Sequence, residues 1–298
     1  TSFIAPHSPL IAPPEYYALY DAGAIALPDK RVPLHPWIRA WNDCYRFDSY
    51  FESDAQRRIA IASYYGLCSF LDANVGRILH TLEETGLAHD TRVVFVSDHG
   101  DNLGARALWG KSTMYEESAA VPMVSFGPGV RAGAKVQTPV SHVDFFPSIL
   151  QAVGAQSLTP PDLPGTSFFD LADAPYDPDR VVFSEYHAAG GVSAAYMLRK
   201  GDYKYIHYTG FVPELFDLRA DPDEVNDRAG DQAMRGVLVD FERELNAICD
   251  PVAVDREAKR DQSALIAAHG GVQKILARGG SSYTPIPGEA VSLIGNAN

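Results

Sequence analysis

The sequence predicts an α/β fold in which a mostly parallel sheet is flanked by helices and a smaller antiparallel sheet carries its own helix. A long amphipathic helical pattern is followed at once by an apolar run within residues 92–97, which is the helix-to-strand order of a doubly wound sheet. Later segments alternate apolar and polar residues, as antiparallel strands do. We therefore expect a main α/β domain at 1–175, an antiparallel subdomain at 176–250, and a helical and extended tail at 251–298.

The composition argues against two classes of partner. A net charge of −13 leaves little to neutralise phosphates along a strand, so we expect neither nucleic acid nor an anionic membrane surface as the main partner. No apolar run approaches the ~20 residues of a membrane span. The three cysteines are far apart and odd in number, so neither a zinc spacing nor a disulfide framework is indicated. The compartment stays open, with the cytoplasm favoured over the periplasm.

The helix that precedes the central strand has clear start and stop signals. Ser53-Asp-Ala-Gln56 forms a capping-box pattern, and Gly86 suits the position just after the last turn. Apolar residues between them recur at near-helical spacing, which indicates one face packed on the sheet. These residues are Ile59, Leu67, Phe70, Leu71, Val75, Ile78, Leu79 and Leu82.

The end of the central strand carries the first candidate site. A continuous apolar run suits a strand covered on both faces, and ligand sites in open α/β sheets lie outside the carboxyl ends of such strands. Asp98 and His99 follow this run directly, and Gly100 lets the chain turn away. A carboxylate beside an imidazole can hold a divalent cation. The alternative is that the two side chains only cap a turn.

Two further residues can each be interpreted either as functional or as an ordinary surface side chain. Lys111 stands one loop after the Asp98–His99 pair, where its ammonium could neutralise a tetrahedral oxyanion; otherwise it is a surface lysine. His7 lies in a proline-rich loop that would hold it rigidly as an anion contact or proton donor; otherwise it is a surface histidine.

The remaining elements are predicted as structural. Asp144 suits the N-cap of a helix that ends before Gly154, and His142 is interpreted as structural although it could face the site. The acidic cluster of Asp221, Asp223 and Glu224 is predicted to be solvated loop surface. Antiparallel strands are expected at Val181–His187, Ala194–Arg199, Tyr203–Tyr208 and Glu214–Leu218.

Five segments together resemble the C-terminal part of a sulfatase of the alkaline phosphatase superfamily, from residue 1 to about residue 230. Among members, choline-sulfatase-like and phosphonate-monoesterase-like proteins are the most similar. The segments are Ser2-Phe-Ile-Ala-Pro-His-Ser-Pro, Leu71-Asp-Ala-Asn-Val-Gly-Arg, Val96-Ser-Asp-His-Gly-Asp, Gly110-Lys-Ser-Thr-Met-Tyr-Glu-Glu-Ser-Ala-Ala-Val-Pro and Leu215-Phe-Asp-Leu-Arg-Ala-Asp-Pro-Asp-Glu.

The resemblance implies an alkaline-phosphatase-like fold and a role for each candidate. Asp98 and His99 match two ligands of a divalent metal, with Ca²⁺ expected and Mn²⁺ or Mg²⁺ as alternatives. Lys111 matches the lysine that contacts the sulfate and the leaving-group oxygen. His7 matches the histidine near the ester oxygen that can act as general acid. The substrate implied is a small-molecule sulfate ester.

The departures from the family pattern are equally informative. The family nucleophile is formylglycine, made from the first residue of a Cys/Ser-x-Pro-x-Arg motif that is not found in this sequence. Cys249-Asp-Pro imitates three positions but lacks the arginine. The strand that supplies two more acidic ligands is also missing. We therefore expect a truncated chain, inactive alone, whose nucleophile lies in a missing N-terminal portion that would also be its partner.

Several alternatives stay open at this point. The same scaffold could serve a phosphonate monoester or phosphodiester hydrolase, or a non-catalytic subunit that lost its nucleophile. Glu185 and His187 begin a strand that overlooks the pocket in relatives, and we expect them to contact substrate. The tail after residue 255 suits an arm packed on a neighbouring subunit, so we expect a homo-oligomer.

Overall fold

The computed structural model describes residues 1–29 and 32–277, which divide into two compact units. One unit contains the described residues of Thr1–Lys30, Phe47–Gly86 and Arg256–Asn298, and the other contains those of Arg31–Arg46 and Leu87–Asp255. The predicted boundary after residue 175 falls inside the second unit. The extended end of the predicted tail, from residue 278 onward, lies outside the described residues.

The regular elements of the described residues are as follows. Helices are α1 Pro14–Tyr17, α2 Pro36–Tyr45, α3 Asp54–Glu84, α4 Glu116–Ala119, α5 Phe145–Ala152, α6 Phe168–Asp173, α7 Arg235–Ile248, α8 Pro251–Ala268 and α9 Val272–Ala277. Strands are β1 Val93–Val96, β2 Met123–Phe126, β3 Val181–Tyr186, β4 Ala195–Lys200, β5 Tyr203–Tyr208 and β6 Glu214–Asp217. Short 3₁₀ turns lie at Ala22–Ala24, Phe47–Tyr50, Ala88–Asp90, Ala105–Ala107, His142–Asp144, Gln156–Leu158 and Gln232–Met234.

Helix α3 organises the first unit and has the predicted start and end. The Ser53 side chain accepts from the amide of Gln56 at 3.3 Å, and Gly86 has a positive φ of 72° just past the helix. Gly66 lets the N-terminal chain approach closely, because a Cβ there would stand 2.9 Å from the Cβ of Ala12. Tyr16 then packs edge-on against Phe70, with ring centroids 5.4 Å apart.

The four-stranded sheet of the second unit is antiparallel throughout, in the order β3-β4-β5-β6. The predicted hairpin turn between β4 and β5 is confirmed, and Gly201 supplies its positive φ of 56°. Alternate residues of each strand face opposite ways. The sheet therefore has two apolar faces, and both are buried.

Each face of this sheet has its own core. One face packs against α2 and the segment that follows β1. Its buried residues are Trp37, Ile38, Trp41, Leu108, Met114, Tyr115, Ala195, Met197, Ile206, Tyr208 and Phe216. The other face packs against α7, with buried Ala194, Tyr196, Leu198, Tyr205, Leu215, Phe241 and Leu245.

Strand β1 differs from its predicted surroundings. It pairs antiparallel with β2, in a register that joins Val93 to Phe126 and Val96 to Met123. Parallel neighbours for β1 are not found in the described part of the chain, and all four of its residues are half-buried instead of covered on both faces. The apolar run predicted the strand correctly, but four apolar residues carry no information about the direction of their partner.

Two predictions about acidic side chains have opposite outcomes. Asp144 is structural, as predicted: it is fully buried and contacts Arg180 at 2.7 Å. It is not the N-cap that was expected, because Ser141 takes that position and Asp144 is the third residue of the capping box. The solvated acidic cluster is wrong for two of its three members, because Asp221 and Glu224 are buried and only Asp223 is exposed. A charge count cannot tell a solvated carboxylate from one with a buried cation beside it.

Among the described helices, none combines the length and the apolar character needed to cross a membrane.

Candidate functional site

Shortly after β1, a carboxylate and an imidazole lie side by side. The Asp98 side chain is 85% exposed and that of His99 is 31% exposed, and Nε2 of His99 lies 3.5 Å from Oδ2 of Asp98. The backbone amide of His99 also donates to Oδ1 of Asp98 at 3.0 Å. The hydroxyl of Ser97 donates to the carbonyl of His99 at 2.7 Å, which fixes the turn that presents both side chains.

The ring nitrogens of His99 have distinct roles. Nδ1 lies 2.8 Å from the carbonyl oxygen of Gly100. A carbonyl oxygen only accepts, so Nδ1 carries the proton of the neutral ring and Nε2 carries the lone pair. This anchoring of one imidazole nitrogen is the usual arrangement of a metal-binding histidine.

The donor set fits part of a divalent metal site. Nε2 of His99 and a carboxylate oxygen of Asp98 lie close together and are accessible to solvent. No group of three or more His, Cys, Asp or Glu residues that could hold a metal occurs in residues 1–29 and 32–277. Two ligands of this chain therefore fit a site that other ligands would complete.

His142 holds the backbone just before this pair. Its Nε2 lies 2.9 Å from the carbonyl oxygen of Ser97, so Nε2 donates there. His142 is thus a structural support at the edge of the site, which agrees with its interpretation from sequence.

A tight loop connects the pair to Lys111. Oδ1 of Asp101 accepts from the amide of Gly110 at 3.0 Å, and the amide and side-chain nitrogens of Asn102 both donate to the carbonyl of Gly110 at 2.7 Å. Lys111 is half-buried and follows directly. The loop therefore returns the backbone of Lys111 to the residues that follow the Asp98–His99 pair.

This loop stores backbone strain next to Lys111. Four residues other than glycine have positive φ: Leu103 at 44°, Arg106 at 52°, Ala107 at 59° and Ser112 at 79°. Such a conformation costs on the order of 1 kcal/mol per residue and clusters at functional sites. The strain persists because Asp101 and Asn102 hold both ends of the loop.

Residues 110–119, which we call the Lys111 segment, sit on a buried ionic cluster that the sequence did not predict. Nζ of Lys204 lies 3.0 Å from the carbonyl of Met114, 2.5 Å from Oε1 of Glu116 and 2.8 Å from Oε1 of Glu224. Arg106 donates two hydrogen bonds to the carboxylate of Glu117, at 2.8 and 3.0 Å. A signal was present, since Lys204 interrupts an otherwise apolar strand face at alternate positions with Ile206 and Tyr208.

A buried carboxyl group lies beside this cluster. Glu214 accepts hydrogen bonds from the hydroxyls of Tyr115 at 3.0 Å and Tyr208 at 2.9 Å. Burial raises the pKa of Glu214 to about 7, against the opposing effect of these two donors. Burial also raises the pKa of Glu224, with Lys204 opposing the shift.

His7, Glu185 and His187 complete the set of predicted site residues. His7 belongs to the first unit, where it is exposed and its Nδ1 donates to the carbonyl of Ser8 at 2.7 Å. Glu185 and His187 contact each other at 3.0 Å. Glu185 pairs with Tyr196 and shares its sheet face, which is the face against α7 and not the one against the Lys111 segment. Glu185 lies on this face because successive residues of a strand point to opposite faces of the sheet. A substrate contact by Glu185 and His187 stays a prediction.

Comparison with known proteins gives two family matches. A family model described as "Sulfatase" matches residues 1–155. A second, described as "N-sulphoglucosamine sulphohydrolase, C-terminal", matches residues 104–250. Together these two matches span the Asp98–His99 pair, the Lys111 segment and the four-stranded sheet.

Individual relatives agree with these matches. The choline-sulfatase of Rhizobium meliloti (strain 1021) is 33% identical over 237 residues, which is 76% of this chain and 45% of that protein. Human arylsulfatase K is 36% identical over 179 residues, or 56% of this chain and 33% of that protein. This chain therefore matches less than half the length of either relative.

A solved structure supports the fold class. The phosphonate monoester hydrolase from Silicibacter pomeroyi has a TM-score of 0.70 and 29% identity, over 81% of this chain and 53% of that one. The predicted α/β fold class of the alkaline-phosphatase-like type is confirmed by this likeness, although the parallel pairing is not part of the described sheets.

Proposed function

This chain belongs to the sulfatase family, and from that premise we propose that it contributes to the active site of a sulfuric-ester hydrolase acting on a small-molecule sulfate ester. The observation that supports this most directly is the Asp98–His99 pair, with Nδ1 of His99 anchored on Gly100 and Nε2 3.5 Å from a carboxylate oxygen. Members of the family generally use a divalent metal, and these two residues would hold it.

The proposed mechanism assigns one role each to the metal, to Lys111 and to His7. A bound metal would polarise sulfuryl oxygens as a Lewis acid. Lys111 would place a compact positive charge on an oxygen that gains charge in the transition state. His7 would hold the proton that the leaving alcohol takes up, which makes it the general acid.

The chemistry of the ligands favours particular metals. Carboxylate oxygens suit Ca²⁺ and Mg²⁺, and one imidazole keeps Mn²⁺ compatible. We propose Ca²⁺ as the natural ion. The sequence contains no Cys/Ser-x-Pro-x-Arg motif, so the proposal assigns the formylglycine nucleophile and two further acidic ligands to residues other than these 298.

Metal titration tests the first part of the proposal. We expect Mn²⁺ binding, followed by its electron paramagnetic resonance signal and displaced by Ca²⁺, to weaken at least about tenfold in Asp98→Asn and in His99→Ala. His80→Ala is the matched control, because His80 and Glu84 form an exposed imidazole–carboxylate contact of 3.2 Å on α3. Equal metal affinity in all of these proteins would remove the metal role.

Turnover tests the second part. In the complete natural protein that carries these residues, we expect release of 4-nitrophenol from 4-nitrophenyl sulfate to fall about 10²- to 10³-fold in Lys111→Ala. Lys135→Ala, at an exposed lysine, is the control. Sulfate ester turnover that is unchanged by Lys111→Ala contradicts the assigned role.

The likeness to a phosphonate monoester hydrolase favours one alternative. The same metal pair and lysine would serve a phosphoryl group, whose equatorial oxygens carry similar charge. The ratio of kcat/KM for 4-nitrophenyl sulfate to that for a 4-nitrophenyl phosphonate monoester decides between the two. Binding of metal with no hydrolysis of either ester by the complete protein would instead indicate a non-catalytic subunit.

A further inference from the structure

Lys204 is a lysine in a place where lysine is rarely found. It lies in the middle of β5, on the sheet face that buries Ile206 and Tyr208, and is 1% exposed. Burying an unpaired ammonium costs several kcal/mol, so such a group persists only where its partners are well placed.

Lys204 contacts the Lys111 segment both directly and through Glu224. Its Nζ donates a hydrogen bond to the carbonyl of Met114 and forms ion pairs with the carboxylates of Glu116 and Glu224, all within 3.0 Å. Two of them, the carbonyl of Met114 and Oε1 of Glu116, belong to the segment. The third belongs to Glu224, whose Oε2 in turn accepts from the backbone amide of Glu116 at 2.6 Å.

A second cation holds the same segment from another side. Arg106 binds the carboxylate of Glu117 and donates to the backbone carbonyls of Asp223 at 2.5 Å and Glu224 at 3.0 Å. Its guanidinium also lies over the ring of Tyr115, 4.1 Å from the centroid. The turn containing Glu224 is therefore tied to the Lys111 segment through both Lys204 and Arg106.

Directional contacts are needed here because apolar packing does not specify position finely. Met114 and Tyr115 pack into the core of this sheet face, but hydrophobic contact is non-directional and tolerates small shifts. The hydrogen bond from the ammonium of Lys204 instead fixes the position of the carbonyl of Met114, which is three residues from Lys111. Ser112, with its positive φ of 79°, and Thr113 are the two residues between them, so Lys111 is near enough along the chain for a shift of Met114 to displace it.

We propose that Lys204 is a positioning residue: it fixes the Lys111 segment on the antiparallel sheet and so sets where the Lys111 ammonium meets the substrate oxygens. This inference rests on the proposed function, in which Lys111 contacts the sulfuryl group. Lys204 itself, being buried, touches no substrate.

The experiment separates positioning from stability. Lys204→Met leaves the carboxylates of Glu116 and Glu224 without their cation, so we expect it to unfold at a lower temperature. Lys204→Met/Glu224→Gln removes one of these carboxylates and recovers most of the lost midpoint, but it still lacks the contact to Met114. Lys135→Met is the matched control at an exposed lysine.

Kinetics of the complete natural protein on 4-nitrophenyl sulfate provide the first measurement. We expect the double variant to keep at least about a tenfold loss of kcat with KM changed less than about twofold, because a displaced charge is lost chiefly in the transition state. A double variant that recovers both its midpoint and its kcat overturns the inference, since Lys204 would then only stabilise the fold.

Chemical labelling provides a second measurement that needs no turnover. We expect the rate at which acetic anhydride labels Lys111, and the protection of Lys111 by inorganic sulfate, to change at least about threefold in the double variant. The labelling rate of Lys135 should stay the same. Unchanged labelling and protection of Lys111 overturn the inference even if activity is low.

Lys111→Ala distinguishes this inference from the proposed function. If Lys111→Ala lowers kcat and the double variant does not, positioning by Lys204 is wrong while the function stands. If Lys111→Ala has no effect, the role of Lys111 fails and the positioning role fails with it.

Discussion

Gly100 lies directly against the backbone of Glu117. A Cβ atom on residue 100 would overlap the carbonyl oxygen of Glu117, and the amide of Gly100 donates to the carbonyl of Ser118 at 2.9 Å. The turn that follows the Asp98–His99 pair and the end of the Lys111 segment are thus in backbone contact. The close approach of the Asp98–His99 turn to the Lys111 segment therefore requires glycine at position 100.

Gly100→Ala tests this contact. We expect the variant to lose about 1–3 kcal/mol of unfolding free energy, because the added methyl group must push two backbone segments apart. Mn²⁺ affinity should fall with it, since the turn that orients His99 moves. Urea unfolding and metal titration measure the two effects. Gly76→Ala is the control, at a position in α3 with no atom within 4 Å of the new Cβ, and it should not be destabilised.

His142→Ala should weaken metal binding although His142 is not a ligand. Its Nε2 fixes the carbonyl of Ser97, one residue before Asp98, and loss of such supporting contacts lowers metal affinity about tenfold. His142→Gln keeps a donor and should recover part of the affinity. His89→Ala is the control at another exposed histidine. A metal dissociation constant for His142→Ala equal to that of His89→Ala contradicts the prediction.

Glu214 should make stability depend on pH in an unusual direction. Burial raises the pKa of this carboxyl from 4.5 to about 7 in the folded protein, so between these values the folded state holds a proton that the unfolded state has released. The contribution is complete below about pH 4.5, is lost as pH rises through about 7, and is constant above. Its size is on the order of 3 kcal/mol.

Glu214→Gln isolates that contribution, because the amide oxygen can still accept from Tyr115 or Tyr208 without titrating. We expect the unfolding free energy of the wild type, minus that of Glu214→Gln, to fall between pH 4.5 and pH 7.5. Glu15→Gln, at an exposed carboxyl on α1, makes the same charge change as a control. A difference that rises with pH would show that Glu214 is held ionised.

Arg106 should contribute far more to stability than ion pairs on the surface. Removing a buried cation leaves Glu117 and two carbonyls without a partner, and we expect Arg106→Ala to cost about 3–5 kcal/mol. Arg106→Lys keeps the charge, but a single ammonium cannot replace both Nη1, which binds Glu117, and Nη2, which donates to the carbonyls of Asp223 and Glu224, so it should recover only part. Thermal and urea unfolding measure both.

The matched control for Arg106 is an exposed pair. Arg243 lies 2.9 Å from Asp240 on α7, with both side chains more than half exposed, and such pairs contribute about 0–1 kcal/mol. If Arg243→Ala and Arg106→Ala are equally destabilising, the buried cluster does not hold the Lys111 segment.

Much of the local structure could be predicted because its causes are local. The N-cap at Ser53, the stop at Gly86, the hairpin at Gly201 and the alternating strands are set by neighbouring residues, and all are found. Of the capping box predicted at Ser53, only the bond to the Ser53 side chain forms, because the Gln56 side chain accepts from the amide of Glu52 instead. Asp98 and His99 are found side by side because neighbours in sequence need no long-range contact to come together, and their binding of a metal stays a prediction.

What could not be predicted depends on residues far apart in sequence. The acidic run around Glu224 predicts a solvated carboxylate because it contains no cation, whereas the partner of Glu224, Lys204, is twenty residues earlier, in β5. The face of Glu185 also depends on register, since a shift of one residue would turn it from the α7 side to the other.

The sequence by itself determined the α/β class, the elements, the sulfatase resemblance and the identity of Asp98, His99, Lys111 and His7 as candidates. Only the tertiary structure decided that β1 pairs antiparallel and that Lys204 and Arg106 hold the Lys111 segment. The physical reason is that local propensity and spacing act over a few residues. Strand direction and the pairing of buried charges are decided by which distant residues meet once the apolar faces are covered.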